Sequence, residues 1–143
     1  MTGNCAEKLR YLLEGVQRRA DESFIGTGVI VYSRLDGLRH FQMGDRRPKV
    51  EDITDQILKA SSLMGSNHDG FHFIDSDWNL THLNQYVSPK IPTDYQFPDE
   101  MKGIAGARIA TAILCSISSA VICSGVISTN EGIMTFADGR RTP

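Results

Sequence analysis

Gly26-Thr27-Gly28-Val29-Ile30-Val31-Tyr32 is the stretch on which the fold class turns. The Gly-Thr-Gly breaks the pattern of the segment before it. The β-branched run that follows, bounded by turn residues, predicts a buried strand. Upstream, Leu9, Leu12, Leu13, Val16 and Ala20 recur at helical intervals, and Asn4 with Glu7 three residues on reads as a capping box. Arg10, Gln17, Arg18 and Arg19 fall on the outer, solvated face of that helix. Downstream, Asp36-Gly37 is a turn signal, Leu38-Arg39-His40-Phe41 a second strand or return loop, and residues 44–48 a charged loop. A second helix is predicted from about residue 50 to 64: Glu51 and Asp52 suit its positive end, Ile53, Ile57, Ala60 and Met64 form one face, and Gly65 ends it.

Two strands are predicted next, Phe71-His72-Phe73-Ile74 and Leu80-Thr81-His82-Leu83, around the polar turn Asp75-Ser76-Asp77-Trp78-Asn79. Residues 88–98 hold three prolines and read as a loop. From 103 to 120 the chain is small, apolar and helical in period, with little charge on any face, so a deeply packed helix is expected. Val121-Ile122 with Val126-Ile127, and then Ile133-Met134-Thr135-Phe136, predict two strands joined by the turn Asn130-Glu131-Gly132, before a polar tail at 140–143. Helices and strands interleave. The class is therefore α/β: a single domain over 1–143 with a mixed, twisted sheet flanked by helices.

Composition narrows the function classes. At 143 residues and 15.8 kDa, with 41% hydrophobic and 22% charged residues, the chain suits one globular core. A formal charge of −2 argues against an extended nucleic-acid surface while permitting a local phosphate site. No run approaches the roughly 18 apolar residues of a membrane span, and Met1-Thr2-Gly3-Asn4-Cys5-Ala6-Glu7 does not read as a secretory leader. Cys5, Cys115 and Cys123 are odd in number and lack CxxC spacing, so reduced thiols in a cytoplasmic protein are expected, with Cys115 and Cys123 as small buried hydrophobes.

Several chemistries are excluded by pattern. Asp75-Ser76-Asp77-Trp78-Asn79 opens like a calcium loop, but its sixth position is Leu80 and its twelfth Tyr86, where glycine and a bidentate Glu are needed. The four histidines share no zinc-ligand spacing. No nucleophile elbow, dinucleotide fingerprint or phosphate-loop lysine motif occurs. Two places remain. In Asn67-His68-Asp69-Gly70-Phe71 a carboxylate stands at the entrance of an apolar strand, placed to hold a divalent cation or accept a hydroxyl proton, or simply to make the turn. In Gly103-Ile104-Ala105-Gly106-Ala107-Arg108, glycines precede a helix whose first turn carries an arginine. Free backbone N–H groups with a guanidinium form an anion site, although an arginine also serves as a simple cap there.

Together these segments resemble the diadenylate cyclase domain, the nucleotide-binding domain of the DNA-integrity scanning protein and its relatives. The family shows H-D-G-A at a strand start, G-T-R-H-R-A-A at a helix start and V-S-E-x-x-G at a strand end. Here these are His68-Asp69-Gly70-Phe71, then Gly106-Ala107-Arg108-Ile109-Ala110-Thr111-Ala112, then Ile127-Ser128-Thr129-Asn130-Glu131-Gly132. Gly28-Val29-Ile30-Val31 is similar to the family's first core strand, so the resemblance covers about residues 7–138.

The resemblance implies an adenine-nucleotide site lined by His68, Asp69, Gly70, Gly106, Arg108, Ser128 and Thr129. In active relatives two ATP molecules are joined into cyclic di-AMP across facing domains, which would give Asp69 the catalytic and metal roles, with Mg²⁺ or Mn²⁺. The departures weigh against that reaction: Ile109 and Ala110 replace the His and second Arg of the phosphate segment, and Thr129 replaces the acidic residue, with Glu131 two positions on. The resulting expectation is a degenerate cyclase-like domain that binds an adenine nucleotide or cyclic dinucleotide as a sensor or regulatory module, acting through a homo-oligomer or a separate effector protein. An active, diverged cyclase and a structural or dimerisation domain without ligand are the alternatives.

Overall fold

The glycines at 26 and 28 turn out to be part of the strand and not its boundary. β1 (Gly26–Tyr32) is buried along its whole length, as befits a central β-branched segment. The structure, a computed structural model, describes residues 2–62 and 70–143. β1 pairs in parallel with β3 (Phe71–Asp75) and antiparallel with β5 (Val121–Ser128). The seven-stranded sheet continues outward on one side through β4 (Leu80–Val87) to β2 (His40–Gln42), and on the other through β6 (Gly132–Ala137) to β7 (Arg140–Arg141). The β1–β3 pair is parallel and the other neighbours are antiparallel, so the sheet is mixed as expected.

Alternation along β1 sorts the core into two layers. Val29 and Val31 face α1 (Thr2–Arg19) and α2 (Ile53–Ala60), packing with Leu9, Leu13, Val16 and Ile57. Ile30 and Tyr32 face α3 (Ala107–Cys115), packing with Phe73, Ile109, Ile113 and Phe136. Each fully buried aliphatic side chain contributes about 1.5–3 kcal/mol relative to exposure. α1 lies close on β5 because position 125 is glycine: a Cβ there would come within 2.8 Å of Leu13 and 2.9 Å of Leu9.

Several boundaries differ from the sequence reading. α1 begins at Thr2, so Asn4 lies inside its first turn and does not cap it. α2 is shorter than the predicted 50–64. Asp52 is its N-cap, accepting the Asp55 N–H at 3.3 Å, and Ser61 closes it; Met64 and Gly65 lie outside the described residues. The predicted helix over 103–120 is reduced to α3. Gly106 takes extended backbone as its N-cap, and residues 99–101 form a 3₁₀ turn ahead of it. Serines end it: Ser116 Oγ donates to the Ile113 carbonyl at 2.6 Å, and Ser118 Oγ accepts the Ala120 N–H, local bonds that compete with helix continuation. The tail is also ordered, since Arg140–Arg141 pair with β6. The 75–79 turn is a hairpin, with Asp75 Oδ1 occupied by the N–H groups of Asp77 and Asn79 at 3.0 and 2.9 Å.

The cysteine expectation is corrected. Cys5 and Cys123 form a disulfide between α1 and β5, with Cα atoms 6.4 Å apart. Cys5 is four residues before Leu9, which puts it on the face of α1 that packs on the sheet, where Cys123 is buried. The reduced-thiol argument for a cytoplasmic protein falls with it. Cys115 is free and buried, and burial pushes its thiol up to about 12, in keeping with a small hydrophobe. No helix among the described residues is long and apolar enough to cross a membrane.

Candidate functional site

The parallel strands β1 and β3 enter the sheet at the end where β5 leaves it, with Gly26 paired to Ser128 and Gly28 to Phe71. α3 starts at this end. Its first N–H groups have no partner within the helix, and its approach is open: a Cβ on Gly103 or Gly106 would meet nothing within 4 Å. Two clefts meet at Arg108. One, of about 470 Å³, runs between the start of α3 and the β5–β6 turn and includes Gly106, Arg108, Ser128, Thr129 and Glu131. The other, of about 400 Å³, lies across β3 and β4 and includes Gly70, Tyr86, Arg108 and Thr111.

Five of the expected site residues are thus brought together. Gly106, Arg108, Ser128 and Thr129 share one cleft, and Gly70 joins Arg108 in the other. His68 and Asp69, which immediately precede Gly70 in the chain, lie outside the described residues. Ser128 has a structural duty as well, since its Oγ accepts the N–H groups of Asn130 at 3.3 Å and Glu131 at 3.2 Å and so shapes the turn. Ile109, at the family's His position, is only 5% exposed and packs in the core beneath α3. Among the described lining residues of both clefts, Arg108 is the only cation.

Two residues were missed by sequence reasoning. Gly26 has φ +127°, and a Cβ there would lie 2.6 Å from the Ile127 carbonyl and 2.8 Å from Arg108 Nη1. Glycine therefore lets the guanidinium lie against the edge of β1; the Gly-Thr-Gly was its signal, read as a break. Tyr86 is the second. It is 50% exposed and stacks on Phe41, itself 60% exposed, with ring centroids 5.1 Å apart. An aromatic pair left in solvent beside a cleft is suited to stacking a planar ligand. Its only sequence signal was a lone aromatic near the end of a strand.

Behind the clefts lies a fully buried polar chain. The Asn84 N–H donates to His72 Nδ1 at 3.1 Å, which leaves the imidazole proton on Nε2, 3.2 Å from Ser61 Oγ. Ser61 has one proton for two acceptors, the Ile57 carbonyl at 2.7 Å and the Thr27 hydroxyl at 2.8 Å. Burial, reinforced by the positive charges of Arg108 and Arg46, lowers the His72 pKa to about 3. His72 is therefore neutral, and the charge it senses from the site is positive.

For a metal, the described cleft residues offer one carboxylate, Glu131, with hydroxyls from Ser128 and Thr129. Among the described residues no group of three His, Cys, Asp or Glu could hold an ion. The described donors alone do not make a site for Mg²⁺ or Mn²⁺, which favour one or two carboxylates in octahedral geometry.

Over 95% of its length this chain superposes on DacA from Staphylococcus aureus, a diadenylate cyclase solved as an N166C/T172C double mutant, with a TM-score of 0.57 and 16% identity, covering 87% of that chain. The fold is diadenylate-cyclase-like. A hypothetical membrane spanning protein from Bacillus cereus is also similar, with a TM-score of 0.66 and 16% identity over 95% of this chain. The present chain spans 62% of that protein's length. No protein-family model matches this chain, and no curated protein does.

Proposed function

We propose that this diadenylate-cyclase-like domain binds an adenine nucleotide or a cyclic dinucleotide as a sensor or regulatory module. The observation that carries the reading is the position of Arg108 at the junction of two clefts, with an exposed tyrosine on one side and a hydroxyl-bearing turn on the other. A guanidinium in the first turn of a helix, whose leading N–H groups have no partner within the helix, suits a phosphate, and Tyr86 offers a face for a base. The same inventory weighs against turnover. Phosphoryl transfer relies on several positioned cations to neutralise developing charge. Here the described clefts hold one cation and a carboxylate, Glu131. The output of such a module passes through its own assembly or a separate effector protein.

A thermal-shift screen with ATP, AMP and cyclic di-AMP tests the reading. At a hundredfold excess over Kd a bound ligand stabilises by about 2.7 kcal/mol. We expect that shift for at least one of the three, and its loss in Arg108→Gln. A melting curve that no nucleotide moves removes the proposal. Incubation with ATP and Mg²⁺ or Mn²⁺ followed by mass spectrometry provides the other arm: cyclic di-AMP formed by the wild type and abolished by Asp69→Asn would replace the sensor with an enzyme.

A further inference from the structure

A separate cavity of about 510 Å³ lies beyond Met43, bounded by the β2–α2 loop, α2 and Leu83 of β4. Met43 lines both this cavity and the Tyr86 cleft, and its Cε stands 2.6 Å from where a Cβ on Gly70 would be, so it forms part of the wall between them. Arg46, Arg47, Lys49 and Lys59 line the cavity against two carboxylates, Asp45 and Glu51. That is a net positive lining in a chain whose formal charge is −2.

What sets these four cations apart is that they share one cavity without an ion pair to a described residue. Arg19 is paired with Asp52 and Asp55, Arg34 with Asp36, and Lys102 with Asp99. Among the described residues no carboxylate is within ion-pair distance of Arg46, Arg47, Lys49 or Lys59, although Asp45 and Glu51 share their cavity. The backbone that presents them is fixed from below. Buried Gln56 accepts the Lys49 N–H at 2.8 Å and donates to the carbonyls of Lys49 at 2.9 Å and Glu51 at 3.1 Å. Gln42 Nε2 donates to the carbonyls of Arg46 at 3.2 Å and Leu83 at 3.0 Å. A loop held in this way has already lost the entropy that gathering like charges would otherwise cost at binding.

We propose that this cavity is a second anion site, which takes a dissolved polyphosphate or phosphate ester independently of the Arg108 clefts. Four cations lining one cavity call for a multiply charged anion, and a guanidinium matches the fork geometry of phosphate oxygens. The concave shape favours a small solute over a flat membrane face.

The test uses sodium tripolyphosphate in isothermal titration at physiological ionic strength, with Arg108→Gln as the parent so that the first site is disabled. The parent is expected to bind. Adding Arg47→Gln, Lys49→Gln and Lys59→Gln, all exposed side chains, should weaken affinity by about tenfold or more, the scale of one or more charge-assisted hydrogen bonds. Adding instead Arg18→Gln, Lys90→Gln and Arg140→Gln, which remove the same charge elsewhere, should leave affinity unchanged. In the unmutated chain, tripolyphosphate should shift the amide resonances of Lys49, Gln56 and Leu83. Absence of binding to the parent, equal weakening by both triple variants, or amide shifts that bypass these residues would each overturn the proposal. So would co-sedimentation of the parent with phosphatidylglycerol vesicles without tripolyphosphate binding, which would assign the cations to a lipid surface.

Discussion

Gly26 and Gly70 hold φ values of +127° and +96°, in the range where L side chains are strained, and each stands where a Cβ would strike a backbone carbonyl. At Gly70 the obstacle is the Gln85 carbonyl at 2.7 Å; at Gly26 it is the Ile127 carbonyl together with the Arg108 guanidinium. Gly26 is the more informative of the two because one of its neighbours belongs to the site. We expect Gly26→Ala to displace Arg108, to lower stability by about 2–3 kcal/mol and to abolish the nucleotide-induced rise in melting temperature. Gly103→Ala, where nothing lies within 4 Å, should change neither quantity. A Gly26→Ala protein that retains the full nucleotide shift would detach Arg108 from ligand binding. At this scale, Arg108 and Ser128 were legible because the motifs name them, whereas the role of Gly26 depends on a guanidinium from a distant helix. A single sequence does not carry that approach.

Between elements, the Thr27–Ser61–His72–Asn84 chain ties β1, the end of α2, β3 and β4 together within the interior. Its pH dependence follows from the lowered His72 pKa. Between the ordinary value of 6.5 and the folded value of about 3, the unfolded chain takes up a proton that the folded chain refuses. The contribution is therefore complete above the ordinary value and is lost as pH falls toward the folded one. Stability should drop by about 2 kcal/mol between about pH 7 and pH 5 from this group alone, measurable by urea unfolding. The His72 ring signals in NMR should stay fixed through that interval, and a His72 midpoint near 6 would sink the account.

The elements themselves were largely readable. The alternating strands and the Leu9, Leu13, Val16 face follow from local periodicity. The helix over 103–120 is too long on periodicity alone because Ser116 and Ala120 continue the spacing of Ile109, Ala112 and Ile113, while the hydroxyls of Ser116 and Ser118 bond locally and stop the helix. Likewise Arg140–Arg141 carries no strand pattern of its own and is recruited by the edge of β6. β7 depends on the neighbouring strand β6 and the disulfide on a partner 118 residues away, and composition gave no hint of either.

For the whole molecule, the Cys5–Cys123 link spans 118 residues of sequence. In the chain-entropy account a loop of that length stabilises by about 5 kcal/mol, with about 2–4 kcal/mol the usual observed range. Urea unfolding with and without reductant should show a loss within these figures, and Cys5→Ser should reproduce it without reductant. Identical midpoints in the two conditions would show that the packing of α1 on the sheet is sufficient alone. The Arg108 clefts and the cavity beyond Met43 lie on a scaffold closed in this way.

The same link has a topological consequence. Residues 5 to 123 form a covalent ring that contains α1 from Cys5 onward, α2, α3, β1 to β4 and the start of β5; the rest of β5, β6 and β7 follow outside the ring. A protease that cuts once anywhere on the ring, including the proline-bearing loop at 88–98, opens a circle and releases no fragment until the link is reduced.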